Sequence, residues 1–132
     1  MSMFGALDAA SSGVALGRTW LDSISDNVAN SNTVRPAGQE PYRAKLVVAR
    51  SLPGTEGVGV QGIQEQGGQP EVVYDPENPL ADGDGYVTRP VVDLASEMTN
   101  MLVAQRLYQA NLSVMTSARE AYQAALSIGK GA

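Results

Sequence analysis

Apolar residues recur every seven positions at both ends of the chain. Near the start, Leu7, Val14, Leu21 and Val28 form one row, and Met3, Ala10, Gly17 and Ile24 the companion row. This is the a/d spacing of a helix packed along a long seam, either within one fold or between molecules. Gly13 and Gly17 remove side chains from neighbouring faces and let another helix approach closely. The last forty residues repeat the pattern. Leu94, Met101, Tyr108, Met115 and Tyr122 form a row, with Met98, Gln105, Leu112, Arg119 and Leu126 between them. Gln105 and Arg119 interrupt that second row; a polar group in a seam fixes register and weakens the packing. Asp93 is placed to cap this helix, Glu97 suits the dipole of its first turn, and Gly129 reads as its stop. At 1.5 Å per residue, positions 93–128 make a rod of about 54 Å. A compact domain of this size measures only roughly 30–35 Å across. The helix is therefore expected to run alongside something outside its own body.

Between the two ends the pattern breaks. All seven prolines lie between Pro36 and Pro90, with nine of the 14 glycines. Both residue types disfavour helix interiors. The expected order is helix, irregular β middle, helix, divided as 1–33, 34–90 and 91–132. Tyr42, Ala44, Leu46 and Val48 alternate as one face of a strand. Val58, Val60 and Ile63, then Val72–Tyr74, then Tyr86–Val87, suggest further short strands, with turns at Pro53-Gly54, Gly67-Gly68 and Asp82–Gly85. Four short strands are too few to be stable without docking elsewhere. The predicted class is α+β: long N- and C-terminal helices packed as a coiled-coil-like pair, with a small β-rich insertion between them.

Composition removes most chemistry. The 132 residues include no Cys and no His, which excludes thiol catalysis, disulfides, Ser-His-Asp triads and Cys/His zinc sites. Aromatics are only 5%, so the core is built from aliphatics, Ala and Met. The net charge of -5 argues against nucleic acid, whose binding rests on a basic surface. No run approaches the roughly 18 apolar residues of a membrane-spanning helix. Met1–Ala10 carries no Lys or Arg and holds Asp8, so no cleaved secretory leader is expected. Catalysis by the acid pairs Glu71/Asp75 or Asp75/Glu77 would need a shaped cleft, for which the turn-rich middle has little material. Asp82-Gly83-Asp84-Gly85 reads as a tight turn, because it lacks the longer ligand run and closing Glu of a calcium loop. No cofactor or metal is expected.

Charge is unevenly spread. Seven acids (Glu56, Glu65, Glu71, Asp75, Glu77, Asp82 and Asp84) fall between Ser51 and Thr88 without a Lys or Arg, while Arg35, Arg43, Lys45 and Arg50 precede them. This is either a solvated acidic surface or one of two complementary faces on neighbouring subunits. Trp20 suits a buried anchor, in a core or at an interface.

The run from Leu21 to Thr33 contains Ser25-Asp26-Asn27-Val28-Ala29-Asn30-Ser31-Asn32-Thr33. It resembles the signature that closes the first helix of bacterial flagellar axial proteins, with Asp26 where Asn is common. Asn30, Asn32 and Thr33 suit the capping of groups left exposed at the helix end. Pro41-Tyr42-Arg43, the run from Tyr74 to Val87, and Glu97-Met98 through Ala110-Asn111 then follow in order, and together they resemble the FlgC family of proximal rod subunits.

The resemblance implies a non-enzymatic structural subunit of the flagellar rod in the periplasm, polymerising helically through its terminal helices and transmitting torque. Its implied partners are itself, other proximal and distal rod subunits, MS-ring and P-ring components, and the flagellar type III export apparatus during secretion. No nucleic acid and no membrane insertion are implied. Candidate subunit-interface residues are Leu7, Val14, Trp20, Leu21, Ile24, Asn27, Val28, Asn30, Asn32 and Thr33 near the start. Near the end they are Met98, Met101, Arg106, Tyr108, Asn111, Leu112, Met115, Arg119, Tyr122 and Leu126. Another flagellar axial subunit, or a helical adaptor unrelated to flagella, remains an open alternative at this point.

Overall fold

The computed structural model describes residues 3–54 and 57–130; Glu56 of the acidic run and the side chain of Met3 lie outside what it describes. Helix α1 (Met3–Asn30) and helix α2 (Leu94–Lys130) enclose five strands: β1 (Arg35–Pro36), β2 (Lys45–Ser51), β3 (Val58–Glu65), β4 (Glu71–Tyr74) and β5 (Tyr86–Arg89). Strands β2 and β3 form an antiparallel hairpin, and β1-β5-β4 form a separate antiparallel sheet. The fold is α+β, with the terminal helices packed on each other and the small β region between them, as the sequence pattern predicts.

The helices run antiparallel. Asn27 reaches Glu97 at one end, Gly17 faces Tyr108 in the middle, and the rings of Phe4 and Tyr122 meet edge to face at the other end. With 37 residues against 28, α2 is about 55 Å long and α1 about 42 Å. Residues 123–130 of α2 extend past Phe4. The glycine expectation is met within the chain. A Cβ on Gly13 would stand 2.6 Å from the Asn111 amide, and one on Gly17 would stand 3.3 Å from Cβ of Tyr108.

Four expectations need correction. On α1 the row at the centre of the seam is Ala10, Gly17 and Ile24, while Leu7, Val14, Leu21 and Val28 lie half-exposed at its edge. On α2 the row beside Met101, Tyr108 and Met115 is Glu97, Ala104, Asn111 and Ala118; Met98, Gln105, Leu112, Arg119 and Leu126 are exposed. Ala10, Gly17, Ala104 and Ala118 hold places in these rows where close backbone approach excludes longer side chains, while Asn111 fits against Gly13. Gly129 is not a stop, since α2 continues to Lys130. The face chosen for β2 holds only in part: Ala44 is 3% exposed, but Leu46 is 46% exposed, and Val47 and Ala49 line the cleft beside Leu16 and Trp20, with a bulge between Val48 and Ala49 interrupting the alternation. The anchoring of Lys45, whose backbone N–H and C=O both bond to Asn27, sets which residues face the helix.

The fully buried core is small: Ile24, Ala10, Ala44, Ala104 and Val87 are at most 4% exposed. Asp93 caps α2 as expected. Its Oδ1 accepts from the Ala95 N–H, and its Oδ2 accepts from the Ser96 hydroxyl at 2.6 Å. These bonds hold the Asp93 carboxyl below its usual 3.8, the Ser96 hydroxyl contributing most.

Candidate functional site

The α1–α2 pair has three zones of different chemistry. At the β end, Asn27 is fully buried and is the node of a polar junction. Its Nδ2 donates to the Lys45 carbonyl at 2.9 Å and to Glu97 Oε1 at 3.1 Å. Its Oδ1 accepts from the Lys45 N–H at 2.7 Å and from the Tyr42 hydroxyl at 2.8 Å. Both donors and both acceptor positions of the amide are therefore used. One side chain ties the end of α1, the start of β2 and the first turn of α2. Burial raises the Tyr42 hydroxyl above its usual 10.0, against the opposing pull of Lys45. On the surface beside this node, Lys45 Nζ pairs with Asp26 at 2.7 Å, which raises the Lys45 pKa, chiefly through the hydrogen bond.

Of the helix-closing residues expected to cap the backbone, Asn30 does so. Asn30 Nδ2 donates to the Asp26 carbonyl, the Ser31 hydroxyl to the Val28 carbonyl, and the Thr33 hydroxyl to Asn30 Oδ1. Asn32 is exposed and makes no hydrogen bond among the described residues. Asp82 is a turn former: its Oδ1 accepts from the Asp84 and Tyr86 N–H groups. Arg43 pairs with Glu40, so two of the four basic residues that precede the acidic run have partners in their own chain. No cluster of three or more potential metal ligands occurs among the described residues. Nor is any described helix long and apolar enough to cross a membrane.

In the second zone, the hairpin is held against α1. The Ser12 hydroxyl donates to the Ala9 carbonyl at 2.7 Å and accepts from the Val58 N–H at 3.0 Å. Gly57 allows this contact: it has φ +90, and a Cβ there would collide with Ser12 Oγ. Leu16, Trp20, Val47, Ala49 and Leu107 line an apolar cleft beside the hairpin, and Trp20 stands half-buried in it.

The third zone is the far end of the pair. Phe4, Leu7, Leu112, Met115, Thr116, Arg119 and Tyr122 line an open groove of about 480 Å³. Phe4 is 63% exposed, and beyond it α2 presents Leu126 and Ile128, 47% and 76% exposed.

The sequence-derived candidates divide across these zones. Ile24 and Asn27 are enclosed by the chain itself. Leu7, Val14, Trp20, Leu21, Val28, Asn30, Thr33, Met101, Tyr108, Asn111 and Met115 are half-buried. Asn32, Met98, Arg106, Leu112, Arg119, Tyr122 and Leu126 are exposed. Sequence reasoning missed Ser12 and the junction roles of Tyr42 and Glu97. The Pro41-Tyr42-Arg43 match and the acid in the first turn of α2 were the available signals.

Comparison with known proteins finds flagellar rod relatives along the whole chain. The family described as flagellar basal body rod FlgEFG protein C-terminal matches residues 84–128. The flagellar basal-body rod protein FlgC of Salmonella typhimurium is 37% identical, over 98% of this chain and the whole of that protein. Those of Bacillus subtilis and Borreliella burgdorferi are 32% and 31% identical, over 98% and 99% of this chain and the full length of each relative. Two long terminal helices closed by an Asn-rich signature, with this likeness along the whole length, define a flagellar rod protein. Within that class the chain belongs to the FlgC family.

Proposed function

We propose that this structural subunit belongs to the proximal part of the flagellar rod and assembles helically through its terminal helices, carrying torque along them. The observation that carries this reading is the helix pair itself: it completes a seam within the chain yet leaves apolar side chains exposed along α2, from Leu94 and Met98 to Leu126 and Ile128. Exposed rows of this kind call for further helices beside them. The axial core is residues 1–33 and 91–132, and the middle, 34–90, stands outside it and faces neighbouring components.

Subunits related by a helical operator make heterologous contacts, so the assembly extends instead of closing. The partners are further copies, the proximal and distal rod subunits, and the MS-ring and P-ring components. The chain is passed to the periplasm by the flagellar type III export apparatus. The protein catalyses no reaction; its work is mechanical.

Complementation tests the reading. In a strain lacking the gene, the chain should restore swimming and co-purify with basal bodies. Leu112→Asp should abolish both while the subunit is still exported. Normal swimming with Leu112→Asp would remove that position from the assembly. Absence of the wild-type chain from purified basal bodies would remove the rod reading altogether.

A further inference from the structure

The helix pair carries two different apolar flanks, one on each side of its seam. On the hairpin side, Leu16, Trp20, Val47, Ala49 and Leu107 line an open cleft of about 200 Å³. Helix α2 extends this flank through Val103 and Val114, four residues before and seven after Leu107, and 49% and 48% exposed. On the other side lies the groove formed by Phe4, Leu7, Leu112 and Met115. Leu94 and Met98, 39% and 60% exposed, extend that side toward the start of α2. Between the flanks, the face of α2 turned away from α1 is mainly polar, with Arg106, Ser113, Ser117 and Glu120 exposed and Leu102, 59% exposed, beside them.

We infer that the groove flank of one molecule seats on the hairpin flank of a second copy of this chain. The inference rests on the rod-subunit reading and names the partner of these faces. Form is the first argument. The hairpin flank is a cleft beside Trp20, walled by Val47 and Ala49 of the hairpin, while on the other flank Leu94, Met98 and Leu112 stand exposed on α2.

Charge is the second. Arg119 stands at the rim of the groove, and Asp8 is exposed on the outer side of α1, four residues after Phe4 and four before Ser12, so that it borders both flanks. Neither makes an ion pair among the described residues. Because Phe4 lies beside Tyr122 and Gly13 against Asn111, Asp8 is level with the turn of α2 that carries Arg119. Side-by-side copies therefore bring the two charges together, which sets register. Unlike flanks also dictate the symmetry. A contact between two different faces is heterologous and repeats from copy to copy, leaving the polar back of every α2 on a common side.

The chain has no cysteine, so engineered cysteines report without background. Full-length Leu112→Cys, on the groove flank, and Val114→Cys, on the hairpin flank, would be co-expressed in cells lacking the native copy and oxidised in purified basal bodies. A second pair, Met98→Cys with Val103→Cys, guards against poor geometry at the first. The expected result is a disulfide-linked dimer that forms when both members of a pair are present and is lost when either is expressed alone. In parallel, Arg119→Asp should slow swimming, and adding Asp8→Arg in the same molecule should restore it. If the chain is present in basal bodies and neither pair crosslinks, or single variants dimerise as readily, the flank pairing is overturned and the rod reading stands. Failure of the charge swap to restore swimming overturns the side-by-side register. Absence of the chain from basal bodies overturns the rod reading itself.

Discussion

The two ends of the helix pair solve the same problem in opposite ways. At the β end a buried polar amide, Asn27, has every hydrogen-bonding position filled by its own chain. At the far end apolar side chains are half-covered or bare, and α2 runs on beyond α1 with Leu126 and Ile128 exposed. A saturated polar node specifies one arrangement and needs no partner. An uncovered apolar end specifies little by itself and gains from whatever covers it. The junction is thus where the subunit builds itself, and the open end is where it remains to be completed by others.

The largest expected effect separates these two roles. Asn27→Leu would orphan the Tyr42 hydroxyl, the Lys45 backbone and the Glu97 carboxylate at once. Each unsatisfied buried group costs about 1–3 kcal/mol, so a loss of roughly 3–5 kcal/mol is expected. Urea unfolding of the full chain followed by circular dichroism would measure it. Asn27→Asp should be nearly as damaging despite its matched shape. It keeps the acceptors but loses both donors and sets a second carboxylate against Glu97. A loss below about 1 kcal/mol for both variants would mean the junction is not the node of the fold.

The middle of the seam comes next. Gly17→Leu places a side chain where a Cβ alone stands 3.3–3.4 Å from Tyr108 Cβ and Cα, so α2 has to shift. Overpacking of this kind costs about 1–3 kcal/mol. Thermal unfolding would report it, and an unchanged midpoint would show that the helices are not held at this distance. At the open end Phe4→Ala should cost less than about 1 kcal/mol, because Phe4 is already 63% exposed and its main packing is the edge-to-face pair with Tyr122. Its effect should instead be on assembly, measured as the amount of subunit retained in purified basal bodies. The order of effects on stability, Asn27 then Gly17 then Phe4, is expected to reverse for assembly.

Much of this was legible in the sequence, and the failures share a cause. Periodicity and proline placement gave the two helices and the β middle, and Gly13 and Gly17 announced a close helix contact. Heptad spacing did not say which of two adjacent rows is central. Leu and Met in the row of Met98 and Leu112 looked like core, yet Ala104 and Asn111 occupy the seam, because distance between backbones, not hydrophobicity, sets the choice there. The face of β2 was legible only in part, at Ala44 but not at Leu46. Alternation fits either face, and the bonds from Lys45 to Asn27, eighteen residues away, decide it. Asn27 was singled out as part of a motif, but its four bonds depend on Tyr42, Lys45 and Glu97 converging from three elements, which local pattern does not encode.

The smallest expected effect probes the exposed neighbour of the junction. Asp93 caps α2 one turn from Glu97, but in water rather than in the interior. Its carboxyl is held below the usual 3.8 by the Ser96 hydroxyl and the N–H groups of Ser96 and Ala95. A group with a depressed folded pKa binds its proton less readily in the folded state than in the unfolded chain. Its stabilisation is therefore present above 3.8 and is lost as pH falls through the lower folded value. Asp93→Asn keeps a capping oxygen without the charge, so it should lose only the pH-dependent part; Asp93→Ala should lose the cap as well. Urea midpoints at pH 7 and pH 3 would compare them. The gap between wild type and Asp93→Asn should narrow at the lower pH, while the gap between Asp93→Asn and Asp93→Ala should persist. If the wild-type advantage over Asp93→Asn is unchanged at pH 3, the charge on Asp93 does not support the first turn of α2, and the junction is held by its buried amide alone.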